Sequence, residues 1–265
     1  MASVVARGVD IAYQRAGAGP PLLFVHGAAD DARYWTPQLE SLADEFTVVA
    51  WDEPGAGRSC DLPEHFTLTD YADCLAGLIE ALALGRSHLA GVSWGGTVVL
   101  ELYRRHPDLV ASLILVDTYA GWKGSLPEDE VRARVAGLGA MLAAQTDEFD
   151  PTLPGLFAGE PPAEFVPLLE AMAADVRRES FRAELTLMAE ADLTAVLPRI
   201  AVPTLLIWGE GDARSPLSVA HQFKDAIAGA ELVVLPDAGH CSNLEQPRLF
   251  NEAVRRFLRA LPEPR

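Results

Sequence analysis

Basic residues are scarce in this chain. Lys and Arg number 21 against 38 Asp and Glu, a formal charge of −17. Binding to nucleic acid or to an anionic membrane needs a basic face, so neither is an expected partner. A polyanionic substrate would meet an adverse long-range field unless a local Arg answered it. Cysteine is scarce too. Cys60, Cys74 and Cys241 lie far apart, with no Cys-x-x-Cys pair and no Cys/His cluster. Such spacing suggests neither a disulfide framework nor a zinc site, and no metal is expected. No apolar run approaches the roughly 18 residues a membrane-spanning helix requires. The opening MASVVARGVD lacks the apolar stretch of a signal peptide. A soluble cytoplasmic protein, monomer or homo-oligomer, is the expectation.

What the chain does have is material for a core. Apolar residues make up 49% of its 265 positions, and a chain of this length buries roughly 70–75% of its extended surface on folding. SVVARGVDIAYQRAG reads as a hairpin turning near Gly8. Continuous apolar runs follow at 22–27, 46–52, 87–93, 112–117, 203–209 and 231–236. Runs without alternation suit strands buried on both faces, as in a parallel sheet covered by helices. Helical patterns lie between them. One follows Asp30 or Asp31; a second is opened by Thr69 or Asp70 and ends at Gly85. Others run from Trp94 to His106, from Ser215 to Ala228 and from Gln246 to Arg259. This alternation implies an open α/β sheet with right-handed crossovers. The stretch 118–202 is too long for a plain connection. Its helical patterns at 127–145, 162–174 and 179–197 suggest an inserted helical cap. The expected organisation is a core from 1–119, a cap from 120–197 and core again from 198–265.

The strongest chemical signal is Gly91-Val92-Ser93-Trp94-Gly95-Gly96, which ends a predicted strand and opens a predicted helix. A serine at so tight a turn stands above the sheet edge, and the glycines leave room where side chains would clash. The hydroxyl needs a base. His240, in PDAGHCSNLEQP after the last predicted strand, is the candidate. His65, His88, His106 and His221 read as surface or helix-end residues, and His26 as support for its loop. The imidazole needs an orienting carboxylate. Asp212, just past a strand end, is favoured over Asp117, Glu210 and Asp237. An oxyanion hole needs two converging N–H groups. Trp94, following the serine, supplies one, and Ala28, after LLFVHG, the other.

Together His26-Gly27-Ala28, DEPGAGRS (52–59), Gly91 to Gly96, Asp212 and His240 make the chain resemble the α/β-hydrolase superfamily. Within it, the chain is similar to the capped serine-type group of 3-oxoadipate enol-lactonases and haloperoxidase-like esterases. The resemblance implies an eight-stranded, mostly parallel sheet with a helical cap between the sixth and seventh strands. It argues against epoxide hydrolases and haloalkane dehalogenases, whose nucleophile is Asp. Carbon–carbon bond hydrolases usually follow the histidine with an aromatic residue, where this chain has Cys241. They also carry a cap arginine, for which Arg177, Arg178, Arg182 and Arg199 are candidates. DEPGAGRS lacks the lysine of a phosphate loop and reads as a structural turn.

The expected function is cofactor-free serine hydrolysis of a carboxylic ester or lactone, through an acyl-enzyme. Carbon–carbon bond hydrolysis of a vinylogous diketone and ligand binding without turnover are the alternatives; peroxide in place of water would give perhydrolysis. Ala29, Trp122, Met141, Phe157, Met188 and Cys241 are the candidate pocket residues, for a mainly apolar small-molecule substrate. Ser93→Ala is expected to lower turnover roughly 10⁴–10⁶-fold. The wild-type rate should fall at acid pH as His240 takes a proton. A pH–rate series on both proteins checks the two together.

Overall fold

The computed structural model describes residues 2–143 and 154–262, with only the backbone described over 138–143. Strands β1 (Ala2–Ala6) and β2 (Val9–Ala16) form the hairpin around Gly8. β3 (Pro21–Val25) leads through a 3-10 turn, Ala32–Trp35, into α1 (Thr36–Leu42). The Asp31 side chain caps that turn by accepting from the Arg33 amide. β4 (Thr47–Trp51) precedes α2 (Leu68–Ala81). Thr67, rather than Thr69 or Asp70, caps α2, because Thr67 and Asp70 satisfy each other's amides in a capping box. That helix stops before Gly85. β5 (Ser87–Val92), α3 (Trp94–Arg105) and β6 (Val110–Val116) follow.

Between β6 and the next strand lie α4 (Trp122–Ser125), α5 (Glu128–Ala143), α6 (Val166–Ala173) and α7 (Arg178–Glu190). The pattern expected over 179–197 divides, with α7 ending at Glu190 and a 3-10 turn at Leu197–Arg199. β7 (Thr204–Gly209), α8 (Leu217–Ala226), β8 (Glu231–Leu235), α9 (Ser242–Glu245) and α10 (Pro247–Arg259) complete the chain. No helix among the described residues is long and apolar enough to cross a membrane.

The eight strands form one sheet in the order β1-β2-β4-β3-β5-β6-β7-β8. The first two pairings are antiparallel and the rest parallel. Alternate residues of each central strand enter different layers. Leu23, Val25, Leu89, Leu113, Leu115 and Leu206 pack with α2, α3, α7 and α8. Leu22, Phe24, Ala90, Ile114, Val116 and Leu205 pack with α1 and α10. Burial of both faces is why these strands read as continuous apolar runs. β8 departs from that expectation: as the edge strand it leaves Val234 40% exposed. His88 departs as well. It is buried inside β5, its Nδ1 2.8 Å from Ser112 Oγ, and burial pulls its pKa down to about 4.

The parallel centre aligns the carboxyl ends of β3, β5, β6 and β7, so the loops that follow them meet at one edge. Close approach of α3 to β3 makes this possible. A Cβ on Gly95 would run into the carbonyl oxygens of Val25 and His26. Gly95→Ala is therefore expected to cost about 2 kcal/mol or more, since backbone cannot yield as a side chain would. Thermal unfolding of the variant measures it.

Candidate active site

Ser93 sits between β5 and α3 with φ +51° and ψ −118°. A non-glycine residue there is strained, by about 1–3 kcal/mol. The surroundings hold it. The Ser93 amide donates to the Val116 carbonyl at 3.1 Å. Its own carbonyl accepts from Thr118 Oγ1 at 2.5 Å and from the Gly96 amide at 3.1 Å. A Cβ on Gly91 would lie 2.6 Å from Gly95 O, and one on Gly96 would strike the Thr118 side chain. The glycine spacing is what lets the bend exist.

His240 follows β8 in a buried loop. Its Nδ1 is 2.8 Å from Asp212 Oδ2. The other oxygen, Asp212 Oδ1, accepts from the Arg214 and Ser215 amides, each at 2.8 Å. Both oxygens are thereby aimed, and the imidazole keeps Nε2 for other chemistry. The loop is held from below by Glu245, which accepts from the amides of Gly239 (2.6 Å) and Ala158 (2.8 Å). The Cys241 amide donates to Leu156 O at 2.9 Å.

The competing carboxylates are otherwise engaged. Asp117 accepts from the Gly209 amide at 2.8 Å and from Ser242 Oγ at 2.5 Å. Burial, then its neighbour Asp212, pushes the Asp117 carboxyl well above the ordinary range. Glu210 is exposed, and Asp237 occupies a turn at φ +51°. His26 supports its loop: its Nδ1 meets Gly27 O at 2.8 Å and its Nε2 accepts from the Glu53 amide at 3.2 Å. Within DEPGAGRS, Asp52 accepts from the Ala32 and Arg58 amides at 2.8 Å each, a turn-building role.

Ser93 and His240 open into one cavity. Ala28, Ala29, Trp122, Phe157, Met188 and Cys241 line it as well. Trp94, the first residue of α3, buries its indole beneath the cavity instead. The Met141 side chain lies outside the described residues. Among the described residues, none of Arg177, Arg178, Arg182 and Arg199 lines the cavity, whereas Arg214 does. Sequence reasoning did not select Asp30, Tyr34, Tyr119 and Leu185, which also line it. Tyr119 lay within reach, two residues beyond a strand end on the same edge. Asp30 carried only a helix-cap signal.

The sequence matches the Alpha/beta hydrolase family over residues 22–253. It is 30% identical over 251 residues to a proposed carbamate hydrolase, RutD, of Pseudomonas syringae pv. syringae, covering 92% of this chain and 95% of that one. It is 32% identical over 250 residues to the dihydrolipoyllysine-residue acetyltransferase component of the acetoin cleaving system of Pseudomonas putida. That match takes in 91% of this chain but spans only 64% of the longer protein. Among solved structures, a thermophilic esterase from Thermogutta terrifontis superposes with TM-score 0.80 at 33% identity, covering 97% and 96% of the two chains. The enol-lactonase from Burkholderia xenovorans LB400 superposes with TM-score 0.79 at 28% identity, covering 97% and 100%.

The two buried aspartates predict different losses. Asp212→Asn would turn an amide toward His240 Nδ1, favour the wrong tautomer and cost roughly 10⁴ in kcat. Asp117→Asn should lower the melting temperature with a far smaller effect on kcat. Steady-state kinetics beside thermal melts separates the two roles.

Proposed function

The chain belongs to the alpha/beta hydrolase family, and on that premise we propose that it is a serine hydrolase cleaving a carboxylic ester or lactone through an acyl-enzyme. The observation that carries this reading is the 2.8 Å contact between His240 Nδ1 and Asp212 Oδ2, in a cavity shared with Ser93. With Nδ1 committed to the carboxylate, Nε2 is the basic nitrogen. In this reading Ser93 Oγ attacks the substrate carbonyl as Nε2 takes its proton. The Ala28 and Trp94 amides stabilise the oxyanion at the loop after β3 and the first turn of α3. Collapse expels the alkoxide, which takes the proton back from His240. Water then enters and attacks the acyl carbon as His240 takes its proton, and His240 returns that proton to Ser93 Oγ as the C–Oγ bond breaks and the acid leaves. Asp212 stabilises the imidazolium in both halves.

The esterase and enol-lactonase likenesses support this bond type. The helices between β6 and β7 act, in this reading, as the cap that shapes specificity. Leu169, Met172, Phe181, Leu185 and Met188 give the cavity an apolar wall, which suits a mainly apolar acyl group. A second reading, carbamate cleavage, is favoured by the RutD likeness; the carbonyl would meet the same serine.

Hydrolysis of p-nitrophenyl esters of graded acyl length, beside matched carbamates, tests the proposal. Ester turnover exceeding carbamate turnover supports it, and the reverse installs the second reading. Met188→Ala is expected to widen the wall and shift the preference toward longer acyl chains by roughly tenfold in kcat/KM.

A further inference from the structure

Two buried acids beside the cavity have no role in that cycle. Glu53, in the loop after β4, is 0% exposed, and Glu184, in the middle of α7, is 2% exposed. The Trp94 indole Nε1 donates to both Glu53 oxygens at 3.0 Å. The Ala29 amide donates to Glu184 Oε2 at 3.1 Å. The two carboxyl groups lie close enough that each shifts the other's ionisation. Ionised carboxylates are acceptors only, so two such neighbours bond each other only through a shared proton.

We propose that Glu53 and Glu184 are positioning residues for the oxyanion hole, a hydrogen-bonded acid pair that clamps the Ala28–Ala29 loop and the first turn of α3 to helix α7. This rests on the ester-hydrolase reading above. Ala29 has φ +66°, a conformation that needs outside support. Glu184 gives that support one residue from the Ala28 amide. Glu53 anchors the side chain of Trp94, whose own amide is the second donor. The Glu53 amide also donates to His26 Nε2, which ties the same loop a second time. Each oxyanion donor thus borrows its position from one member of the pair.

Asp30, on the loop after β3, and Tyr71, on α2, face the pair with Trp94. Arg177, at the start of α7, spends its guanidinium on the carbonyls of Gly57, Ser59 and Cys60. Burial pushes Glu184 up to about 7 and Glu53 well above the usual carboxyl range. The pair therefore keeps a proton at neutral pH. Both shifts are upward, so the stability they carry is full at low pH and is lost as pH rises through the folded values. With the last proton gone, two adjacent carboxylates would repel and release both donors.

Two variants test this. In Glu53→Gln the amide oxygen can accept from Trp94 while the NH₂ donates to Glu184, a proton that cannot be lost. It should keep kcat within roughly threefold of wild type and hold it on the alkaline side, where wild type declines. Glu53→Leu with Glu184→Leu removes both anchors but spares the core two buried acids. Its Tm should hold or rise. Its kcat for p-nitrophenyl butyrate should fall roughly 10²-fold with KM little changed. Wild-type kcat in the double variant, or an alkaline decline identical in wild type and Glu53→Gln, would overturn the proposal. Should the double variant not fold, the alkaline comparison decides alone. Should wild type cleave no ester, that reading fails separately. Tm across pH still reads the pair: wild type should lose Tm relative to Glu53→Gln as pH rises, and a constant difference overturns the pairing.

Discussion

The structure depends on a bend with almost no free volume. Ser93 turns the chain from β5 into α3 at a positive φ, and each glycine around it faces backbone or Thr118 at less than contact distance for a methyl group. That density is possible because β3, β5 and β6 are parallel and in register, which brings the carbonyl ends of three strands to one point. The strain at Ser93 is repaid by packing and hydrogen bonds throughout the centre of the sheet. The loops bearing Ala28, Asp212 and His240 follow strands that the same register aligns.

Much of this was legible in the sequence because its signals are local. Strands buried on two faces have continuous apolar runs, and a strand–glycine–serine–glycine–helix order has few structural solutions. The chain order of Ser93, Asp212 and His240 narrowed the rest. The misreadings have equally physical causes. The α2 cap lies at Thr67 because a reciprocal pair with Asp70 outcompetes a single side chain at Thr69. β8 looked like its neighbours but lies at the edge, where only one side is paired. His88 reads as a surface residue because a polar side chain in a strand gives no sign of the serine on the next strand. Glu53 and Glu184 stand 131 positions apart, and nothing in either local sequence announces the other.

Charge is distributed with a consistent logic. The chain is strongly acidic, yet several acids are buried around the site and are held there by different means. Asp52 is satisfied by backbone amides, and Asp117 by an amide and a hydroxyl. Glu53 accepts from an indole and Glu184 from a backbone amide. In every case the cost of burying a carboxyl is offset by aiming it at a donor whose position matters for the loops.

The Glu245 contacts carry a consequence for modularity. Glu245 joins the His240 loop to Ala158, and the Cys241 amide joins it to Leu156, so a piece of the excursion between β6 and β7 belongs mechanically to the loop of His240. An engineer exchanging this excursion for one from another scaffold, cutting only where the chain leaves and re-enters the sheet, would sever that stitch. Transplants that carry residues 154–158 and 239–245 together would keep the histidine's footing, so the exchangeable unit is discontinuous in sequence.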